Sequence, residues 1–200
     1  MLRVGLTGSI AVGKTFVGEI LRELGAFVLD ADRTAREVVA PETRGWQLVV
    51  DNFGKDVLQS DNTINRAKLG ALVFADESRR QLLNSIVHPL VIEAQNEWLN
   101  SIENESPAAI AVIDAALMIE SGSYARFDKL IVVWCEPETQ IERLMARNGL
   151  SREAALQRIK AQMPQEEKKR FADFLINTTE GFEAARRQTV EVFEQLRLLV

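Results

Sequence analysis

Cysteine is nearly missing: Cys135 stands alone in a chain of 200 residues, which excludes an intramolecular disulfide and any multi-cysteine metal cluster. Placed after the apolar run Leu130-Ile131-Val132-Val133-Trp134, it is expected to pack at a strand end rather than act as a nucleophile. No apolar run approaches the ~20 residues a membrane helix needs, and no basic-then-apolar leader precedes the first strand. The expectation is a cytoplasmic protein with no membrane partner. A surplus of positive charge is also missing. With 24 Lys and Arg against 29 Asp and Glu, the net charge is −5, which argues against nucleic acid held by a general basic field. Any anion site must be local. Internal repeats, low-complexity tracts and long linkers are absent. What remains is a chain 46% hydrophobic, enough for a substantial core in one domain with insertions or in two small ones.

The most informative stretch lies near the N-terminus. Val4-Gly5-Leu6-Thr7 reads as an apolar strand running into Gly8-Ser9-Ile10-Ala11-Val12-Gly13-Lys14-Thr15, a GxxxxGK[ST] phosphate-binding loop, and a helical pattern follows. Glycines let the backbone curl so that successive N–H groups point at one anion, while the next helix adds its positive N-terminal end. Lys14 would reach the β- and γ-phosphates of a nucleotide, and Thr15 carries the hydroxyl that this motif offers to Mg²⁺.

Val17, Ile20, Leu21 and Leu24 recur at helical spacing, and Gly25 sits where a left-handed exit is expected. Ala26-Phe27-Val28-Leu29 then reads as a buried parallel strand that delivers Asp30-Ala31-Asp32 at its carboxyl end, where open parallel sheets bind their ligands. Either aspartate could serve as a base, or could cap the helix predicted from Arg33. From Pro41 to about Ser106 the pattern is largely helical. A long helix capped by Asp76 or Ser78 carries Leu83, Val87, Leu90, Val91, Ala94 and Trp98 as a core stripe, with a kink or break at His88-Pro89. His88 could contact a ligand at that break or be a structural histidine. Ala108–Ile113 resumes as a buried strand ending in Asp114, resembling a Walker B element whose Asp holds Mg²⁺ directly or through water. Leu130–Trp134 and Phe174–Ile176 supply further strands, and a terminal helix presents Phe182, Ala185, Val192, Leu196 and Leu199 to the sheet.

These elements predict an α/β fold of P-loop NTPase type: a parallel sheet with helices on both faces, a helical insertion between the second and third strands, and a helical lid. Between Glu138 and Arg170, Arg143 and Arg147 share a helical face. That face suits a lid closing on transferring phosphates, although the interleaved glutamates also allow a solvated mixed-charge surface. A GTPase switch is a poor alternative, because Asp51-Asn52-Phe53-Gly54 lies in a helical pattern and no Asn-Lys-x-Asp signature follows Leu130–Trp134. A shikimate-type or nucleoside-monophosphate kinase is closer.

One family matches in order along nearly the whole chain. Gly5-Leu6-Thr7-Gly8, Val28-Leu29-Asp30-Ala31-Asp32, Ile64-Asn65-Arg66, Ile86-Val87-His88-Pro89, Asp114 with Leu117 and Glu120, Gln140, Arg143, Arg147, Gln162 and Ile176-Asn177 resemble dephospho-coenzyme A kinases. The resemblance implies ATP-dependent phosphorylation of the ribose 3′-hydroxyl of dephospho-coenzyme A, with ATP and Mg²⁺ as cofactors and dephospho-coenzyme A as the small-molecule partner. It implies a nucleotide-binding core at 1–40, 107–137 and 166–200, a coenzyme-binding insertion at 41–106 and a lid at 138–165. In this family's pattern Gly8, Ala11, Val12, Gly13, Lys14, Thr15, Phe16 and Asn177 would hold the nucleotide, and Thr15 and Asp114 the metal. Asp32, Arg36, His88 and Leu117 would hold the acceptor, and Asp32, Lys14, Arg143 and Arg147 would carry the chemistry. Departures are local: Ala11-Val12 replaces the usual Gly-Ser, Phe16 replaces a hydroxyl residue that contacts the α-phosphate, Ala116 replaces a proline and Thr179 a glycine.

Overall fold

The computed structural model describes residues 1–200. The chain forms two compact units, Met1–Leu29 with Ser101–Val200, and Asp30–Asn100.

The first unit is built on a five-stranded sheet of β1 (Leu2–Gly8), β2 (Phe27–Asp30), β3 (Ile110–Asp114), β4 (Lys129–Trp134) and β5 (Phe174–Asn177), in the order β2-β3-β1-β4-β5. β1 runs parallel to β3, with Leu6 opposite Asp114, and parallel to β4, with Gly8 opposite Val133. β4 runs parallel to β5, with Trp134 opposite Asn177. The carboxyl ends of the phosphate-loop strand and of the strand ending in Asp114 therefore lie side by side. β1, β3 and β4 read as nearly continuous hydrophobic runs because both faces are covered; β2, expected to be buried, stands at the sheet edge with no buried residue and with Phe27 43% exposed. Leu2, Val4, Leu6, Ile110, Val112, Ile131, Val133 and Ile176 are buried with Val17 and Leu21 of α1 (Lys14–Glu23) and with Val192, Phe193 and Leu196 of the terminal helix. Cys135 is buried in this same core, as its position after β4 predicts. Burial pushes its thiol up from the ordinary value, and nearby Arg143 opposes that shift only in part.

The second unit carries α2 (Ala31–Glu37), α3 (Arg44–Phe53), α4 (Arg66–Ala75) and most of α5 (Glu77–Glu105). Its own core is Val49, Val57, Ile64 and Leu69, packed against Trp46, Leu72, Leu83 and Ile86. Asp51, Asn52 and Phe53 close α3, and Gly54 is its C-cap, so the DxxG match is a helix end.

Pro89 does not break the chain into two helices: α5 is continuous across it. Proline removes one amide donor, and the carbonyl it orphans is that of Ser85, four residues back, an exposed residue within reach of solvent. The stripe from Leu83 to Trp98 is half-buried rather than core, and the buried positions of α5 are Gln95, Leu99 and Ile102. Asp76 rather than Ser78 caps the start of α5, accepting from the backbone N–H of Ser78 and of Arg79.

The remaining helices belong to the first unit: α6 (Pro137–Asn148), α7 (Arg152–Lys160), α8 (Gln165–Lys169) and α9 (Phe182–Arg197). α9 covers the sheet as expected, but the two ends of its predicted stripe, Phe182 and Leu199, are exposed.

Candidate active site

The phosphate loop is held from both sides. Gly8 ends β1 where a Cβ would stand 2.5 Å from the Val133 carbonyl oxygen, so only glycine lets β1 and β4 approach there. Val12 is fully buried in the core; it contributes to a ligand site through its backbone alone. Gly13 is the N-cap of α1 with φ of 88° and supplies no capping side chain, leaving first-turn N–H groups for an anion. Ala11 also takes a left-handed φ, 61°, a conformation that costs a β-carbon-bearing residue about 1–2 kcal/mol.

Lys14 and Asp114 form an ion pair, with side chains only 15% and 11% exposed. Thr15 is exposed in the first turn of α1. In the same loop the Ser9 hydroxyl is buried with no hydrogen-bond partner in the protein, an arrangement that costs free energy unless a ligand or water supplies one. A curled loop with an unsatisfied buried hydroxyl, a lysine and a helix N-terminus fits a nucleotide's phosphates. Thr15 and Asp114 fit Mg²⁺, which takes a hydroxyl and a carboxylate and fills its remaining positions with phosphate oxygens and water.

Helices α6 and α7 are tied to this loop. Ile10 donates its N–H to the Gln162 side chain and accepts from Gln140, both at 2.7 Å. Gln140 in turn accepts from Gln165, whose own oxygen takes the Cys135 N–H. Ile10 and Ala11 also pack against Ile141, Leu144 and Ala155. Arg143 and Arg147 line a cavity of about 270 Å³ with Gly13, Phe16, Thr178 and Phe182. Arg143 spends donors on Thr178, and exposed Arg147 bonds to the neighbouring Asn148 side chain at 2.9 Å. Phe16 packs edge-on against Phe182 at 4.7 Å and gives the cavity an aromatic wall. Asn177 does not join that wall. Its side chain accepts from the backbone and hydroxyl of Thr179, whose hydroxyl also accepts the Glu136 N–H. Asn177 and Thr179 thereby shape the turn after β5.

The turn after β3 is set by a buried cation. Lys168 of α8 is 0% exposed; its ammonium pairs with Glu120 at 2.8 Å and donates to the Ala116 carbonyl at 2.9 Å. The Thr7 hydroxyl donates to the same carbonyl. Leu117, between these anchors, is 52% exposed.

In the second unit the two early aspartates have different surroundings. Asp30 is the N-cap of α2, accepting from the N–H of Asp32 and of Arg33, while Asp32 is exposed in the first turn with its carboxylate unused for capping. Arg36 is exposed one turn further along α2. His88 is exposed on α5, in a shallow depression with Ile92, Glu93 and Glu97.

Sequence reasoning overlooked Ser9, Thr178 and the roles of Lys168 and Gln165. Gln140, Gln162 and Glu120 appeared in the family pattern, but their contacts with the loop and with Lys168 needed the fold.

A strand, phosphate loop and helix beside an acidic strand end, with arginine-bearing helices bonded to the loop, define a nucleotide-dependent phosphotransferase of the P-loop kinase class. Comparison with known proteins narrows the class. The family model described as dephospho-CoA kinase matches residues 2–183, and the chain belongs to that family. A dephospho-CoA kinase from Syntrophus aciditrophicus is 45% identical over 196 residues, 98% of this chain and 83% of its own. The solved structure of the dephospho-CoA kinase from Campylobacter jejuni superposes with a TM-score of 0.74 at 29% identity, covering 98% of this chain and 96% of its own. That of TT1252 from Thermus thermophilus gives a TM-score of 0.83 at 30% identity over 96% of this chain and 95% of its own.

Proposed function

We propose that the protein transfers the γ-phosphoryl group of ATP to the ribose 3′-hydroxyl of dephospho-coenzyme A, giving coenzyme A and ADP. The observation that carries this reading is the separation of roles after β2: Asp30 is consumed as a helix cap, while Asp32 keeps an exposed, unbonded carboxylate one step beyond it.

In such a transfer the protein chiefly positions reactants and stabilises spreading negative charge. Asp32 accepts the proton of the ribose hydroxyl, the freed oxygen bonds to the γ-phosphorus, and the bond to the bridging β–γ oxygen breaks, leaving its electrons on ADP. Lys14 exchanges its partner Asp114 for phosphate oxygens. Thr15 and Asp114 would hold Mg²⁺, which when bound neutralises phosphate charge and orients the γ-phosphoryl group. Backbone N–H groups from Ala11 to Thr15 cradle the phosphates, with Gly8 and Phe16 flanking them. Arg147, the more exposed arginine, closes on the transferring group, while Arg143 keeps the turn after β5 in place; Asn177 supports that same turn. Leu117, Arg36 and His88 contact the acceptor. Residues 41–106 act as the coenzyme-binding insertion and 138–165 as the lid, and the reaction takes place in the cytoplasm.

The test is a mass gain of one phosphoryl group on dephospho-coenzyme A incubated with the purified protein, ATP and Mg²⁺. In Asp32→Asn, kcat falls about a hundredfold or more, in the range for a lost general base, while ATP binding persists. Wild-type turnover in that variant removes Asp32 from the mechanism.

A further inference from the structure

Resting on the phosphate-loop part of that reading, we infer that Gln140 and Gln162 are positioning residues for the nucleotide. They clamp the Ile10 backbone from both sides and so hold Ala11 in the left-handed turn on which the shape of the loop depends. Every residue involved lies in the first unit.

The clamp takes both polar groups of one loop residue. The Ile10 N–H donates to Gln162 Oε1, and the Ile10 carbonyl accepts from Gln140 Nε2, each at 2.7 Å. That N–H belongs to the peptide plane shared with Ser9 and that carbonyl to the plane shared with Ala11, so two bonds fix both planes. Two residues on, the Thr178 hydroxyl holds the Val12 carbonyl at 2.7 Å. Ala11 lies between these anchors with φ of 61°. An alanine does not choose this conformation by itself; it persists where the surroundings over-determine it. Ser9, on the other side of Ile10, keeps its buried hydroxyl without a protein partner. A loop carrying both features would relax if Ile10 were free to turn.

The orientation of the amides follows from the backbone at each end. The Cys135 N–H can only donate, so the Gln165 atom that meets it at 3.1 Å is the oxygen. The Gln165 nitrogen then donates to the Gln140 oxygen at 2.8 Å, which leaves the Gln140 nitrogen for the Ile10 carbonyl. Two side-chain amides thus run head to tail from the end of β4 to the loop, each bond polarising the next, and Gln162 takes up the N–H on the far side. Only an amide can serve in the middle of such a chain, because a carboxylate lacks the donor and an ammonium the acceptor. Gln140 is 2% exposed. Gln162 is held in its turn: its own N–H donates to the Ile159 carbonyl at 3.1 Å, and the next N–H, that of Met163, donates to Glu120 at 3.3 Å, the partner of buried Lys168.

The consequence is a loop formed before the nucleotide arrives. Binding then loses nothing to the ordering of Ile10 and Ala11, and affinity is not divided by the fraction of time the loop is formed.

The experiment titrates a non-hydrolysable ATP analogue with Mg²⁺ into the intact protein by calorimetry, and measures KM for ATP and for dephospho-coenzyme A. The proteins are the wild type, Gln140→Met, Gln162→Met, and each of these combined with Ala11→Gly. Methionine keeps the approximate volume and removes the hydrogen bonds. Gln162 is partly exposed, so its variant carries the test if the buried Gln140 variant does not fold. Each methionine variant binds the analogue about tenfold more weakly, as for a loop formed one-tenth of the time. KM for ATP rises in step, while KM for dephospho-coenzyme A stays within twofold. Ala11→Gly restores the greater part of the loss, because glycine takes the left-handed turn without a clamp; a side chain that merely packs its own helix is not rescued from the loop. Unchanged analogue affinity in the methionine variants overturns the clamp. So does a loss shared equally by both substrates, or one that Ala11→Gly leaves unrepaired. Nucleotide binding without phosphorylation of dephospho-coenzyme A overturns the functional reading alone, and the analogue titrations still decide the clamp. A wild type that binds no nucleotide overturns both.

Discussion

Arg143 grips both ends of Thr178: Nη1 donates to the hydroxyl at 2.8 Å and Nη2 to the carbonyl at 2.7 Å, while the same hydroxyl donates to the Val12 carbonyl at 2.7 Å. One buried threonine therefore joins α6, the turn after β5 and the phosphate loop. Thr178→Val keeps the branched shape and loses these side-chain bonds, leaving the Val12 carbonyl buried without its partner. The expected cost is about 1–3 kcal/mol, read as a lower Tm, together with a severalfold higher KM for ATP. Thr178→Ser should restore both. A valine variant with unchanged Tm and KM would show that the link is unimportant.

Lys168 presents a sharper case because its ammonium has no access to water. Lys168→Met leaves Glu120 and the Ala116 carbonyl without their cation. Breaking a buried pair costs about 3–5 kcal/mol, and the partial exposure of Glu120, 23%, places this one at the lower end. Adding Glu120→Leu to Lys168→Met should recover much of the stability without recovering the KM for the acceptor, since the turn bearing Leu117 stays unanchored. Denaturant unfolding and steady-state kinetics on the three variants separate the two effects.

Ala11 is predicted to be a site of gain. Its left-handed backbone costs about 1–2 kcal/mol, and glycine removes that cost while adding back about 0.5–1 kcal/mol of unfolded-chain entropy. Ala11→Gly should raise Tm by about 1–3 °C for a chain of this size, measured by calorimetry with and without ATP. A lower Tm would mean that the alanine methyl, packed beside α6 and α7, contributes more than the strain removes.

Glu138 and Arg152 join α6 to α7, one of their two contacts being Arg152 Nη2 to Glu138 Oε2 at 2.7 Å. The hydrogen bond from Arg152, helped by its charge, holds the Glu138 carboxyl below the ordinary glutamate value. A depressed carboxylate stabilises the folded state fully above the unfolded value of about 4.3 and loses that contribution as pH falls through the lower folded value. Arg152 is shifted upward by the same contact and stays charged throughout this range. Glu138→Gln should therefore melt below the wild type at neutral pH, and the gap should close once the pH drops below the carboxylate range. High salt should narrow it at neutral pH. A gap independent of pH would assign the loss to packing.

Much of the fold was open to local inspection. Apolar runs bounded by turn residues located every strand, most plainly β1, β3 and β4, because a strand buried on both faces must be hydrophobic along its length; the edge strand β2 gave the same signal although none of its residues is buried. The helices of the insertion were equally legible, but their burial was not. A period of 3.6 residues shows which side of α5 is apolar without showing how much protein covers it, so a stripe expected to be core is only half-buried. Pro89 misled for a related reason: propensity registers the missing donor, while the exposure of Ser85, the residue four back that tolerates its loss, is visible only in three dimensions.

By itself the sequence determined the phosphate loop, the strand that feeds it, the acidic residues at the ends of the second and third strands, and the family to which they point. These depend on residues close together in the chain, where spacing alone sets geometry. Only the tertiary structure decided how the charged groups are shared out: Lys14 on Asp114, Arg143 on Thr178, Lys168 on Glu120, Asp30 spent on a cap and Asp32 left open. Apart from the local cap, each of those partnerships joins side chains 35 or more residues apart. No local pattern encodes which charge meets which across a sheet, since that follows from strand order and from the burial that makes an unpaired charge too costly to keep.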